Sequence, residues 1–221
     1  MNSRAIMPDD AQQVTAVFGG TFDPPHNGHV AIAKAVLDAA LASKVLFVPA
    51  AAPPHKPGRP VATFAQRFDM LSLAIVDEPS FSLSDVERRS LPEPSYTIMT
   101  MTELRRERPD ERLILLIGAD SLLNLHSWRD ARDLVSQWEV VTYPRQEHQV
   151  TLEKLSTQWP SATARQLFRS VADLPMFEAS STEIRRRIAA RESVDGLLHL
   201  DVWNYIVKHG LYRGDGLCPN G

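Results

Sequence analysis

The chain has 221 residues, 43% of them apolar, and a formal net charge of −3. That length supports one sizeable α/β core with a small helical appendage. The charge gives no basic field for nucleic acid, and no apolar run approaches the roughly 20 residues that a membrane span needs.

Residues 1–13 are polar, lack the apolar centre of a secretory signal, and read as a flexible arm. The single cysteine, Cys218, has no internal disulfide partner. A lone thiol points to a reducing compartment, and the cytoplasm is the simplest assignment.

Residues 14–18 form the first apolar run, predicted as a strand. They lead into Gly19-Gly20-Thr21-Phe22-Asp23-Pro24-Pro25-His26-Asn27-Gly28-His29. Strand, glycine-rich turn and helix together make a cradle for phosphate. The glycines let backbone approach a ligand, and the helix start offers free N–H groups and the positive end of its dipole. His26 and His29 add ring donors that suit phosphate oxygens. A tight turn with two solvated histidines is the competing view.

Val30, Ala33, Leu37 and Ala40 share one face of the helix that follows. Residues 44–48 are a second predicted strand. Residues 49–60 are too proline-rich for regular structure. A loop at the carboxyl end of a strand sits where open α/β sheets bind ligands, so His55 and Lys56 would face anions there. A plain basic surface loop is the alternative.

A second helix is predicted over 64–76, with Phe64, Phe68, Leu71 and Ile75 inward, and a third strand over 81–83. Residues 85–94 are charged and turn-rich. Ser95-Tyr96-Thr97 opens a helix running to 108, with Ser95 as its cap. The same amides and hydroxyl suit a small anion.

Residues 112–117 form the clearest strand, continuously apolar over 113–117 as a central parallel strand should be. Gly118-Ala119-Asp120 follows, and Asp120 reads either as a helix cap or as a partner for nucleotide hydroxyls or a metal's water shell. Trp128 is expected to begin a helix carrying Leu134 and Val135. It suits stacking on a flat ring or packing in the core.

A fifth strand is predicted over 138–142. Residues 146–172 are polar, with one weak helical pattern at 152–159, and insertions or mobility are expected there. Residues 174–177 are expected to form a short sixth strand. Ser180 and Glu183 match a capping box, so a helix starts there, with Ser181 and Arg185 on its first turns. Arg186 and Arg187 belong on its solvent face. The last helix, 197–208, buries Leu198, Val202, Tyr205 and Ile206 and stops at Gly210. Residues 214–221 read as a disordered tail, which leaves one domain over 14–213.

Alternating strands and helices predict an α/β fold: a doubly wound, Rossmann-like parallel sheet of order 3-2-1-4-5 with a small C-terminal helical extension. Three candidate phosphate grips then lie along one sheet edge and face one crevice.

The block from Gly19 to His29 resembles the signature of nucleotidyltransferases with a His-x-Gly-His motif. With Phe22-Asp23-Pro24 it is most similar to the nicotinate/nicotinamide mononucleotide adenylyltransferase branch, and the whole set most resembles the bacterial nicotinate-nucleotide adenylyltransferase family. The resemblance implies ATP contacts at Gly19, Gly20, Thr21, Phe22, Gly28, His29, Gly118, Asp120, Ser180, Ser181 and Arg185. It implies mononucleotide contacts at Asp23, His55, Lys56, Ser95, Tyr96, Thr97 and Trp128, with His26, His29 and Arg185 catalytic. Ala179 stands where the family motif has isoleucine, and the acidic residue before it is displaced to Glu178.

The implied reaction is adenylyl transfer from ATP to nicotinate mononucleotide, giving deamido-NAD and pyrophosphate. Mg²⁺ would ride mainly on ATP and water. No protein-held metal is expected, because no cysteine or clear fourth ligand accompanies His26, His29 and His55. Neither nucleic acid nor membrane is an expected partner, and a homo-oligomer is compatible with the sequence. Nicotinamide mononucleotide or phosphopantetheine as the acceptor, a non-catalytic nucleotide sensor, and a tRNA synthetase fragment are the other readings. The last is disfavoured by length and by the lack of a second, lysine-rich ATP motif.

Overall fold

A computed structural model describes residues 13–52, 61–92, 94, 96–177 and 179–213. His55, Lys56, Ser95, Glu178 and Cys218, the 1–12 part of the N-terminal arm and the 214–221 tail lie outside the described residues.

Five parallel strands pair in the order β3-β2-β1-β4-β5: β1 (Val14–Gly20), β2 (Lys44–Pro49), β3 (Phe81–Leu83), β4 (Arg112–Gly118) and β5 (Glu139–Tyr143). Phe18 faces Phe47 on one side and Leu116 on the other. Side chains alternate between sheet faces, so each strand feeds two cores. Ala16, Phe18, Val45, Phe47, Ile114 and Leu116 join one apolar cluster, while Val17, Leu46, Val48, Leu113, Leu115 and Ile117 join the other.

The first face is covered by α1 (Asn27–Asp38), α2 (Phe64–Ala74), α9 (Ser181–Ala189) and α10 (Leu200–His209). The second is covered by α3 (Val86–Ser90), α4 (Thr97–Glu107), α5 (Ala119–Asn124), α6 (Ala131–Gln137), α7 (Leu152–Ser156) and α8 (Ser161–Arg169). After β3 the chain crosses to the second face and re-enters the sheet beside β1. That reversal opens a crevice between the carboxyl ends of β1 and β4, the usual ligand position in such sheets.

Several local expectations are corrected. On α1 the buried positions are Gly28, Ile32, Ala33, Ala35 and Val36; Val30 and Leu37 only flank the core, and Ala40 is exposed. On α2 the buried row is Arg67, Met70, Leu71 and Ala74, with Phe64 and Phe68 half-buried. Residues 86–90, read as turn-rich, contain the short helix α3, seated through buried Val86. Helix α4 starts at Thr97 with Tyr96 in the cap position.

Trp128 does not begin a helix. It follows a 3₁₀ turn (Leu125–Ser127), and α6 starts three residues later. Residues 146–172 fold into α7 and α8, held on the second core by Leu155, Trp159, Ala164 and Leu167. Residues 174–177 form no strand. Thr142 already donates to the Ser170 carbonyl at 2.8 Å and accepts from the Ala172 N–H at 2.9 Å, so 170–172 occupies that edge first. Pro175 also lacks an N–H for a ladder.

The capping box at Ser180 is absent too. The Ser180 side chain makes no cap bond, and Glu183 is taken by Arg186 at 2.8 Å and Arg187 at 2.8 Å. Charge-assisted pairs outcompete a neutral reach to the backbone. Helix α10 starts at Leu200, capped by His199 accepting from the Asp201 N–H at 3.2 Å, and Tyr205 is only half-buried. Gly210, left-handed at φ 62°, ends it.

Candidate active site

A cavity of about 660 Å³ opens at the carboxyl ends of β1 and β4. Gly19, Gly20, Thr21, Phe22, Asp23, His26, His29, Tyr96, Thr97, Gly118, Asp120, Trp128, Ser180, Ser181 and Arg185 line it. These positions come from four separated stretches of sequence. Of the other expected residues, Gly28 lies behind the cavity, in a small recess against His26, and His55, Lys56 and Ser95 are outside the described residues.

The turn between β1 and α1 stacks two imidazoles. The His26 and His29 rings lie 3.6 Å apart, 22° from parallel. The His26 backbone N–H donates to His29 Nδ1 at 3.2 Å. When neutral, His29 therefore carries its proton on Nε2 and presents it as a donor. Phe22 flanks this ring edge-on at 4.8 Å from a left-handed backbone position, φ 49°.

His26 is 5% exposed, and its Nδ1 has no hydrogen-bond partner among the described residues. Burial, reinforced by the nearby Arg145 charge and opposed only by a backbone hydrogen bond, pushes its pKa down from 6.5 to about 3. His26 is thus a neutral group at pH 7. Gly28 makes its placement possible: a Cβ there would lie 2.9 Å from Ala179 Cβ and 3.0 Å from His26 Nδ1.

Gly118 solves a similar crowding problem at the tip of β4. A Cβ would meet Asp120 Oδ1 at 2.4 Å and the Tyr143 ring at 3.0 Å. Arg145, two residues past β5, brings its Nε 3.2 Å from Asp120 Oδ1 and donates through Nη2 to the Tyr143 hydroxyl at 3.2 Å. Burial raises the Tyr143 phenol above its ordinary range, so it stays protonated.

The start of α9 is tied directly to the turn. Ser181 Oγ donates to the Pro24 carbonyl at 2.9 Å, and Arg185 Nη1 donates to the Asp23 carbonyl at 2.7 Å. Arg185 Nη2 also reaches Thr182 Oγ1 at 3.3 Å. The Asp23 carboxylate, in a residue 4% exposed at the edge of the cavity, is engaged within the protein. It accepts from the Val61 N–H at 2.8 Å, the Ala62 N–H at 3.2 Å and the Tyr212 hydroxyl at 2.7 Å. Beneath it, Arg67 is 1% exposed and donates to the Thr21 and Ala50 carbonyls at 2.7 and 2.8 Å.

At the other end, Tyr96 and Thr97 start α4 and Trp128 forms the wall. Trp128 is half-buried: it lines the cavity and also packs on the second core. Arg129 Cζ lies 5.2 Å from the centre of the Tyr96 ring.

Among the described residues, Arg129, Arg145 and Arg185 are the arginines that line the cleft. The starts of α1, α5 and α9 border the same space, and their dipole ends suit a polyanion. The sequence alone assigns no role to Arg145, Arg129, Tyr143 or Arg67, and suggests for Tyr212 only that it docks the end of the chain. The position of Arg145 just past a strand's carboxyl end was the one usable signal. Arg67 sits among apolar residues of α2 with nothing local to mark it.

A cytidylyltransferase-like family model matches residues 17–187. The chain is 38% identical over 197 residues to a probable nicotinate-nucleotide adenylyltransferase of Thermomicrobium roseum, covering 89% of this chain and 90% of that one. It is 37% identical over 216 residues to a probable nicotinate-nucleotide adenylyltransferase of Citrobacter koseri, covering 91% and 100%. In fold it is similar to the Plasmodium falciparum nicotinic acid mononucleotide adenylyltransferase solved with NaAD. That match has a TM-score of 0.70 at 16% identity, over 90% of this chain and 97% of that one. With motifs, sheet order and extended sequence identity in agreement, the chain belongs to the nicotinate-nucleotide adenylyltransferase family of cytidylyltransferase-like nucleotidyltransferases.

Proposed function

We propose that this protein, acting as a single domain over 14–213 in the cytoplasm, transfers the adenylyl group of ATP to nicotinate mononucleotide. The products are deamido-NAD and pyrophosphate. The observation that carries this reading is the convergence of the stacked His26–His29 pair, the start of α9 and Arg185 on one cleft at the sheet's reversal point.

An oxygen of the mononucleotide phosphate forms a bond to the α-phosphorus of ATP. The bond from that phosphorus to the α–β bridging oxygen breaks, and pyrophosphate leaves with the electron pair. The attacking phosphate is already ionised, so no side-chain nucleophile is required. Positioning and charge neutralisation supply the catalysis. His29 donates to the oxygens of the reacting phosphate. His26, held neutral, orients His29 through its backbone N–H and adds no charge of its own.

Ser180, Ser181 and Arg185 sit at the β- and γ-phosphates. Arg185 has five N–H donors, so its bonds to Asp23 and Thr182 leave capacity for phosphate. Tyr96 and Thr97 offer helix-start amides to the pyridine carboxylate, and Trp128 stacks on the ring. An acid takes N–H donors alone, whereas an amide also needs an acceptor, which favours nicotinate. Asp23 serves as a clamp for the turn rather than as a direct ligand of the mononucleotide.

Among the described residues no group of three or more metal-ligating side chains gathers. Mg²⁺ would be carried on phosphate oxygens and water, with Asp120, ion-paired through Oδ1 to Arg145, as a carboxylate lining the same cleft. Bound there, Mg²⁺ would neutralise triphosphate charge.

A pyrophosphate-release assay with ATP and Mg²⁺ tests the reading against a panel of acceptors. Release should be fastest with nicotinate mononucleotide. Preference for phosphopantetheine would remove Trp128 as a pyridine platform. Nucleotide binding without release would make the protein a sensor.

A further inference from the structure

Beyond α10 the chain turns back in a costly way. The Leu211 N–H closes the helix end on the Ile206 carbonyl at 3.0 Å, and the next residue, Tyr212, is left-handed at φ 61°. Such a conformation strains a non-glycine residue and persists only where the surroundings enforce it. The side chain supplies the reason. The Tyr212 ring is buried in the first core, and its hydroxyl donates to Asp23 Oδ1 at 2.7 Å. Burial first, and the Asp23 charge second, hold this phenol far above its ordinary range, so it remains a donor at any working pH.

Asp23 faces two ways. Its carboxylate is held by Tyr212 and by the Val61 and Ala62 amides, in the field of the buried Arg67. Its carbonyl accepts from Arg185 Nη1 at 2.7 Å, and Arg185 lines the nucleotide cleft. A continuous bonded path therefore runs from the end of the last helix to the cleft: hydroxyl, carboxylate, backbone carbonyl, guanidinium.

We infer that Tyr212 is a positioning residue for Arg185, fixing Asp23 so that its carbonyl aims the guanidinium at the triphosphate. The inference rests on the ATP-binding reading of the cleft. It goes beyond that reading by giving the final turn of the chain a part in substrate placement. A staple for the last helix alone would need only the ring in the core; the buried hydroxyl–carboxylate bond leads on to the site.

Full-length wild type, Tyr212→Phe, Arg185→Ala and the double variant form a thermodynamic cycle. Phe keeps the buried ring, and Asp23 keeps two amide donors, so the fold is retained; melting temperature checks this. The readout is affinity for a non-hydrolysable ATP analogue, measured by calorimetry. Tyr212→Phe should weaken binding about 5- to 10-fold in the wild-type background and less than about 2-fold in the Arg185→Ala background, because residues in one hydrogen-bond network couple.

Equal weakening in both backgrounds overturns the route through Arg185. A lowered melting temperature with unchanged affinity reduces Tyr212 to a staple and overturns the inference. The analogue needs no acceptor and no turnover. Wild type that binds it yet releases no pyrophosphate with nicotinate mononucleotide would refute the adenylyltransferase reading while the cycle still decides this one. Wild type that does not bind the analogue overturns both.

Discussion

His26 and His29 sit three residues apart in the same turn, yet their environments give them different work. The His29 ring is held by the backbone N–H of residue 26, and its Nε2 is left as the donor of the neutral ring. His29→Ala should fold with an unchanged melting temperature and lose about 10²–10³ in kcat, the usual loss for one donor to a developing oxyanion. Steady-state kinetics with both substrates checks this, and unchanged turnover would remove the assignment. His26 is buried in the field of Arg145 and cannot carry a proton at neutral pH. Its folded-state value near 3 lies below the ordinary 6.5, so the unfolded chain binds a proton that the folded ring refuses between those values. Stability from this group is complete above pH 6.5 and falls as pH drops toward 3. Wild type should therefore lose about 2 kcal/mol more than His26→Asn between pH 7 and 5, measured by urea unfolding at each pH. An equal loss in the two proteins would mean that the ring is not held neutral.

The elements differ in what their own sequences reveal. Helix α9 is legible as a helix start, but its expected cap is lost because Glu183 pairs with Arg186 and Arg187 on the same helix. Its tie to the turn after β1, through Ser181 and Arg185, spans 157 residues of sequence and has no local signal. Helices α7 and α8 show the reverse case. Their surfaces are polar enough to mask the few residues that anchor them, Leu155, Trp159, Ala164 and Leu167. Leu167 is 1% exposed. Leu167→Ala should cost about 2–5 kcal/mol by opening a cavity in the second core. Both KM values should stay within twofold, because these helices do not line the cleft. Changed KM values with unchanged unfolding free energy would place this segment in the site instead.

At the scale of the whole molecule, the cleft is the meeting of two sheet faces. Helices α1 and α9 come from the first face, and α4, α5 and the Trp128 turn come from the second. Arg67 helps lock this meeting place. Its guanidinium bridges the Thr21 carbonyl past β1 and the Ala50 carbonyl past β2, with burial lowering its pKa and Asp23 holding it charged. Removing one member of a buried charged network is expensive because the others stay buried without it. Arg67→Met should lower stability by about 3–5 kcal/mol and weaken both substrates together. Chemical denaturation and paired binding titrations check this; loss of affinity for a single substrate would argue for a local contact.

The amino-acid sequence by itself determined the sheet order, the glycine- and histidine-bearing turn before α1 and the family resemblance. Each rests on short-range patterning: continuous apolar strands, glycines before a helix, and paired histidines at fixed spacing. Only the tertiary structure decided that the Asp23 carboxylate is a clamp, that His26 is neutral, and that Arg145, Arg67 and Tyr212 surround the site. Those properties depend on which groups are removed from water together, and burial and through-space charge are set by chain segments far apart in sequence.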